Sequence, residues 1–194
     1  MRKSICWIVL ALFISLTSAL AGEHTTSLED DREIIQILLQ GFVLKLPSLN
    51  EPAPPESRIT VSSEMITPAF PKGKIRVANN DLITVDGHVL PYDLMTNMKS
   101  RSGRPSLVGS LGLNLPSFTV ETIDYNHRRL PIVQLSLPGY TNDQKWAGVY
   151  VYITSTPWGF QEDAYFVLFR HAASSWEIDW SELIHHRYIP ATRG

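Results

Sequence analysis

The spacing of apolar positions changes period along this chain. Ile34, Ile35, Ile37, Leu38, Leu39, Phe42 and Val43 recur at intervals of three and four. That is the period of a helix, and the apolar band is wide enough to require burial of most of its circumference. Ser27 ahead of Leu28-Glu29-Asp30 supplies an N-cap hydroxyl and first-turn acids, while Pro47 and the segment Glu51-Pro52-Ala53-Pro54-Pro55 end the helix. From Arg58 the period falls to two. Ile59-Thr60-Val61, Ile75-Arg76-Val77, Ile83 to Leu90 and Phe118 to Ile123 alternate as strands do. Asp86-Gly87 is the pair that two-residue hairpins favour, and Pro91 opens a second short helix with Leu94, Met95 and Met98 on one stripe.

The most regular stretch runs from Leu130 to Leu183, where Ile132 to Leu137, Trp146 to Ser155, Ala164 to Arg170 and Trp176 to Trp180 read as four antiparallel strands. In Trp146 to Ile153, Ala147, Val149, Val151 and Ile153 share one face, and Trp146, Gly148, Tyr150 and Tyr152 share the other. Both faces carry apolar bulk, so this strand is covered on both sides or self-associates through one. Trp176, Ile178 and Trp180 alternate with Glu177 and Asp179, which gives the last strand an apolar face and an acidic one and places it near an edge. The fold expected is α+β: an N-terminal helix packed on a curved antiparallel sheet of about six strands that ends in a four-strand meander.

The first residues change the setting. Arg2 and Lys3, the apolar run Ile5 to Leu16 and the Ala19-Leu20-Ala21 ending form a secretory signal peptide, too short for a bilayer span, with cleavage expected after Ala21. The domain division is then a signal over 1–21 and a single domain over 22–194, with a proline-rich connector at 47–58 and a flexible loop at 100–116. The one cysteine, Cys6, leaves with the signal, and there is no Asn-x-Ser/Thr acceptor. A cystine-stapled scaffold is excluded, and the two absences point to a secreted or periplasmic bacterial protein. Loss of Arg2 and Lys3 makes the net charge of −2 more acidic. A mildly acidic chain is not a nucleic-acid binder, and Lys99, Arg101, Arg104 and Arg128-Arg129 read as solvated loop faces. No membrane span remains after cleavage.

One resemblance emerges in the C-terminal third. Leu137-Pro138-Gly139-Tyr140, Asp143, Ala147-Gly148-Val149-Tyr150-Val151 and the terminal Trp176 strand resemble the C-terminal hairpins of uncharacterised bacterial exported α+β proteins. The resemblance implies a fold and transfers no activity. It departs at Thr156-Pro157-Trp158-Gly159-Phe160, which lacks a cysteine-bearing turn.

Candidate chemistry is sparse. Val108-Gly109-Ser110-Leu111-Gly112 lacks the first glycine of a nucleophile elbow, and no P-loop ending follows it. The densest polar set is Glu177, Asp179, Glu182, His185 and His186. If the chain turned helical after Trp180, Asp179, Glu182 and His186 would share a face, the mixed set a metal or acid–base pair requires. Against that, Trp158 and Phe160 place large aromatics in a turn, where recognition surfaces put their anchors. The function expected is therefore an exported, non-enzymatic binding protein with no cofactor and no metal. Its contacts are Trp158, Phe160, Tyr150 and Tyr152, its ligand is a protein or glycan, and self-association through the sheet is open to it. The alternative is a hydrolase or metal-dependent enzyme using Asp179, Glu182 and His186.

Overall fold

A computed structural model describes residues 28–46, 49, 59–70, 75–78, 81–84, 88–102, 108–123, 131–155 and 159–190. The segment expected to be a signal, most of the proline-rich stretch and Trp158 lie outside the described residues. The class is α+β. Helix α1 spans Leu28–Ile37 and continues as a π turn, Leu38–Phe42, and a 3-10 turn, Val43–Lys45. Its apolar band is used as the spacing requires, with Ile34, Ile35, Leu38, Leu39 and Val43 buried. Helix α2 spans Tyr92–Ser102 and buries Leu94, Met95 and Met98.

The strands are β1 (Ile59–Ser62), β2 (Ile75–Ala78), β3 (Asp81–Thr84), β4 (Val89–Leu90), β5 (Phe118–Glu121), β6 (Ile132–Leu135), β7 (Gly139–Tyr140), β8 (Trp146–Ser155), β9 (Gly159–Ala172) and β10 (Ser175–Pro190). Seven of them form one sheet in the order β10-β9-β8-β6-β1-β5, with β7 also on β8, and β2-β3-β4 form a small separate sheet. The large sheet is mixed, not purely antiparallel as the sequence leads one to expect. β1 lies between β5 and β6 and is parallel to both, because the chain makes long connections, through α2 and the 108–111 turn, before returning beside it. In the small sheet, Leu82 pairs with Leu90 and Ile83 with Val89, while the Asp86-Gly87 turn between them lies outside the described residues. Within 100–116, Ser100 to Ser102 complete α2, and Val108 and Leu111 are buried in a 3-10 turn.

Two cores flank the sheet. Val149, Val151 and Ile153 of β8 pack under α1 with Val167, Phe169 and Trp176, while Tyr150, Ala164, Phe166 and Ile184 pack under α2 on the opposite face. The two apolar faces read from β8 therefore have a simple cause, one helix for each. Gly148 lies on the α2 face, where an added Cβ would come within 2.5 Å of the Phe166 ring, so the missing side chain is what admits the phenyl group.

Beside the first half of β8 the sheet stops at β7, and α2 takes the place of the next strand. Asp93, Asn97 and Arg101, four residues apart, form one polar stripe along the helix. Asp93 accepts from Asn142 N–H at 2.8 Å, Asn97 Oδ1 accepts from Tyr140 N–H at 3.0 Å, and Arg101 Nη1 donates to Pro138 O at 2.7 Å. Residues 138, 140 and 142 are the alternating outward groups of a strand edge, and here side chains satisfy them.

The β9–β10 connection is the two residues Ala173 and Ser174, with Ala173 at φ 46°. An L side chain there carries a steric cost of about 1 kcal/mol that glycine avoids. Ala173→Gly is expected to raise the melting temperature by roughly 2–4 °C in a thermal scan, and no change or a loss would show the turn to be relaxed already.

Candidate functional site

β9 and β10 are the longest strands and carry most of the polar groups that could do chemistry. Their alternation is broken twice, by irregularities between Ile178 and Trp180 and between Leu183 and His185. Each inserts one residue into β10 and turns the following side chains to the other face. Trp176 and Ile178 therefore pack on the α1 side, whereas Trp180 lies on the α2 side against Phe166 and His88. The single apolar face expected for Trp176, Ile178 and Trp180 is split by the first bulge.

The same bulges separate the acidic and imidazole set. The chain does not turn helical after Trp180: β10 is extended through Pro190. Asp179 sits at the first bulge, 3.7 Å from Arg170 Nε, which also binds Glu177. Glu182 is buried on the α2 side opposite Phe166, and His186 lies on the α1 side opposite Asp163. These three do not converge, and among the described residues no group of three or more His, Cys, Asp or Glu is arranged around a metal position.

What the strands bring together instead is His186 with Asp163. His186 Nδ1 and Asp163 Oδ1 are 2.6 Å apart, and Gln161 Nε2 donates to Asp163 Oδ2, also at 2.6 Å. Asp163 is 3% exposed, while the imidazole is half in solvent. With the carboxylate as acceptor, the imidazole donates from Nδ1 in this bond. Chemically this is an oriented imidazole. On the α2 side of the same end, Arg187 approaches Glu162 at 3.5 Å, and the Tyr152 phenol is pushed above its usual range by burial and by its bond to Glu162.

The aromatic candidates divide as well. Tyr150 is 4% exposed, with its ring edge-on to Phe70 beneath α2, and burial pushes its phenol up. Tyr152 is half-buried. Phe160 is half-buried and directly opposite Ile189. Farther along the same hairpin Leu183 and Tyr188, on the α1 side, and Ile189, on the α2 side, are 43%, 51% and 42% exposed. The signal was present in the adjacent Tyr188 and Ile189 that follow the polar run His185-His186-Arg187.

The most deeply held charges lie elsewhere. Asp31 of α1 is 4% exposed and receives both Arg101 nitrogens, Nη1 at 3.0 Å and Nη2 at 2.6 Å, and the Tyr140 hydroxyl at 2.7 Å. The guanidinium also lies 5.1 Å from the centre of the Tyr140 ring. Beside it, Trp176 donates its indole N–H to Asp30 at 3.2 Å and its backbone N–H to Glu33 at 3.0 Å. These bonds tie α1 to α2, β7 and β10. Asp31 stands three residues before Ile34, on the buried stripe, and that position was the clue in the sequence.

No family model, no curated protein and no solved structure matches this chain. The functional reading rests on its own geometry. No helix among the described residues is long and apolar enough to cross a membrane.

Proposed function

We propose that this chain is an exported, non-enzymatic binding protein that presents the far end of the β9–β10 hairpin to a protein or glycan ligand. The observation that carries the reading is the exposed Tyr188 and Ile189, one on each face of the strand, set opposite Gln161 and Phe160 at the end of the two longest strands. Aromatic and aliphatic side chains on a rigid strand cost little ordering entropy on binding, which is the usual chemistry of an anchor. In this reading the four-strand meander through β6, β8, β9 and β10 is the rigid body behind the tip, and Tyr150 supports it from within. Export follows from the Arg2-Lys3, Ile5 to Leu16 and Ala19-Leu20-Ala21 pattern.

The test is selection of binders from a displayed peptide library and a glycan array, followed by replacement of the anchors. Tyr188→Ala with Ile189→Ala is expected to weaken the selected ligand by about 30-fold, near 2 kcal/mol, with a melting temperature within roughly 3 °C of the parent. Unchanged affinity would move the contact surface elsewhere, and a collapse in stability would show the pair to be core.

The enzymatic alternative keeps one of its three residues in a useful setting, His186 on Asp163. Its own test is metal analysis of dialysed protein with a His186→Ala control. Stoichiometric metal lost in that variant would favour it over the binding reading.

A further inference from the structure

β10 ends the sheet among the described residues. Which of its backbone groups face outward follows from one pair. Trp176 N–H donates to Glu33 of α1, and His171 N–H donates to Lys145 O on the β8 side, so across the Trp176/His171 pair the backbone groups point away from each other. Antiparallel pairs alternate between facing and averted. The averted pairs place Ile178, Ser181, Leu183, His186 and Tyr188 on the outer edge, opposite Phe169, Val167, Tyr165, Asp163 and Gln161. Two residues lie between Ile178 and Ser181, and two between Leu183 and His186, where one is regular; those are the bulges.

This outward pattern is symmetric about Glu182. We propose that β10 pairs antiparallel with β10 of a second copy of this chain, across a two-fold axis at Glu182, and joins the two sheets edge to edge. An antiparallel ladder requires outward residues to face outward residues. An axis at Glu182 sets Ile178 against His186 and Ser181 against Leu183. It also sets the bulged residues Asp179-Trp180 against His185-Ile184, so both strands kink at the same places. An axis one residue to either side sets Ile178 or Ser181 against an inward residue. A bulge normally protects an edge by spoiling its register with a straight partner. A second copy of this strand carries the matching bend.

The side chains agree with the backbone. The first half of β10 is acidic and the second basic, and the axis places Glu177 opposite Arg187 and Asp179 opposite His185. The exposed Leu183 falls beside the axis and is covered. One contact opposes the pairing, Glu182 against its own copy. Glu33 closes the outward N–H of Trp176 and so marks where the free edge begins. The interface is isologous and closes at two copies through this edge.

Sedimentation equilibrium of the purified chain over micromolar to submillimolar concentration tests the proposal. Glu177→Arg alone and Arg187→Glu alone are each expected to weaken the dimer about tenfold, since each turns two attractive cross-strand pairs repulsive. The double exchange is expected to restore it, and Glu182→Gln to tighten it. Within one chain Glu177 and Arg187 are about 30 Å apart and cannot compensate each other. The double exchange also leaves Arg170 and Glu162 each facing a like charge, so recovery arises only between copies. Circular dichroism confirms that each variant is folded. A monomer at every concentration, or a folded double variant that fails to recover, would overturn the proposal.

Discussion

Replacing Arg101 by alanine is expected to destabilise the fold by about 3–5 kcal/mol, because it leaves the Asp31 carboxylate buried with no counter-charge. The loss is that large because of where the pair sits. Asp31 is 4% exposed and the Arg101 side chain 19%, both Asp31 oxygens are engaged, and the same guanidinium holds Pro138 O. An exposed pair such as Lys145 with Asp143 is screened by solvent and serves as the control. In a thermal scan the drop is roughly 10 °C or more. Arg101→Lys should recover only part of it, since an ammonium group cannot engage both oxygens and the carbonyl in one plane. A fall of less than about 1 kcal/mol on Arg101→Ala would show that water replaces the guanidinium.

The same cluster sets an alkaline limit. Burial, and then the Asp31 charge, raise the Tyr140 phenol well above its ordinary value near 10. The unfolded chain releases that proton first, so the stabilisation is present in full below about pH 10 and is lost as the pH rises beyond it. Tyr140→Phe is expected to be less stable at neutral pH, having lost the 2.7 Å hydroxyl bond, yet to show a shallower decline above pH 10. Parallel profiles for the two proteins would place the alkaline transition in other buried tyrosines, of which Tyr150 and Tyr165 are raised by burial too.

Gly139→Ala is the second large effect expected, about 3 kcal/mol or a failure to fold. A Cβ there would lie 2.7 Å from Leu94 O and 2.7 Å from Met98 N, and would collide with Met98 Cβ. Two of these neighbours are helix backbone, so no rotamer change relieves the contact, and α2 as a whole must move off β7. That movement stretches the bonds from Asn97 to Tyr140 N–H and from Asp93 to Asn142 N–H. Gly148→Ala makes the informative contrast, because its nearest neighbour is the end of the Phe166 ring. Phe166→Leu added to Gly148→Ala should recover part of the loss, whereas shortening Met98 should not rescue Gly139→Ala. Equal rescue at both glycines would show that side chains alone define the α2 contact.

Much of the fold was legible in the sequence where one period holds over many residues. α1 follows from Ile34 to Val43, and the two-sided burial of β8 from its double apolar alternation. The parallel placement of β1 was not legible, since four alternating residues carry no statement of direction and their neighbours come from Phe118 and Ile132, more than fifty residues on. The faces of β10 were misread for a different reason. Periodicity assumes an unbroken ladder, and one inserted residue at Asp179 moves Trp180 to the other side of the sheet. The site suffered most from this, because Asp179, Glu182 and His186 depend on both bulges, and His186 finds its partner 23 residues earlier in β9. Arg101 was read as a loop cation because its partner, Asp31, lies 70 residues away.

The bond between Asp31 and Arg101 joins two helices that lie on opposite faces of the sheet, passing around the outer side of β7. The helices and the strands between them thus form a closed hoop of contacts, and neither helix can lift away alone without exposing a charge. Partial opening of one layer is suppressed, and the amides of Tyr140 and Asn142 should exchange with solvent deuterium only when the whole body unfolds. A chain with no cysteine after Cys6 thereby gains the cooperativity that other domains take from a cystine.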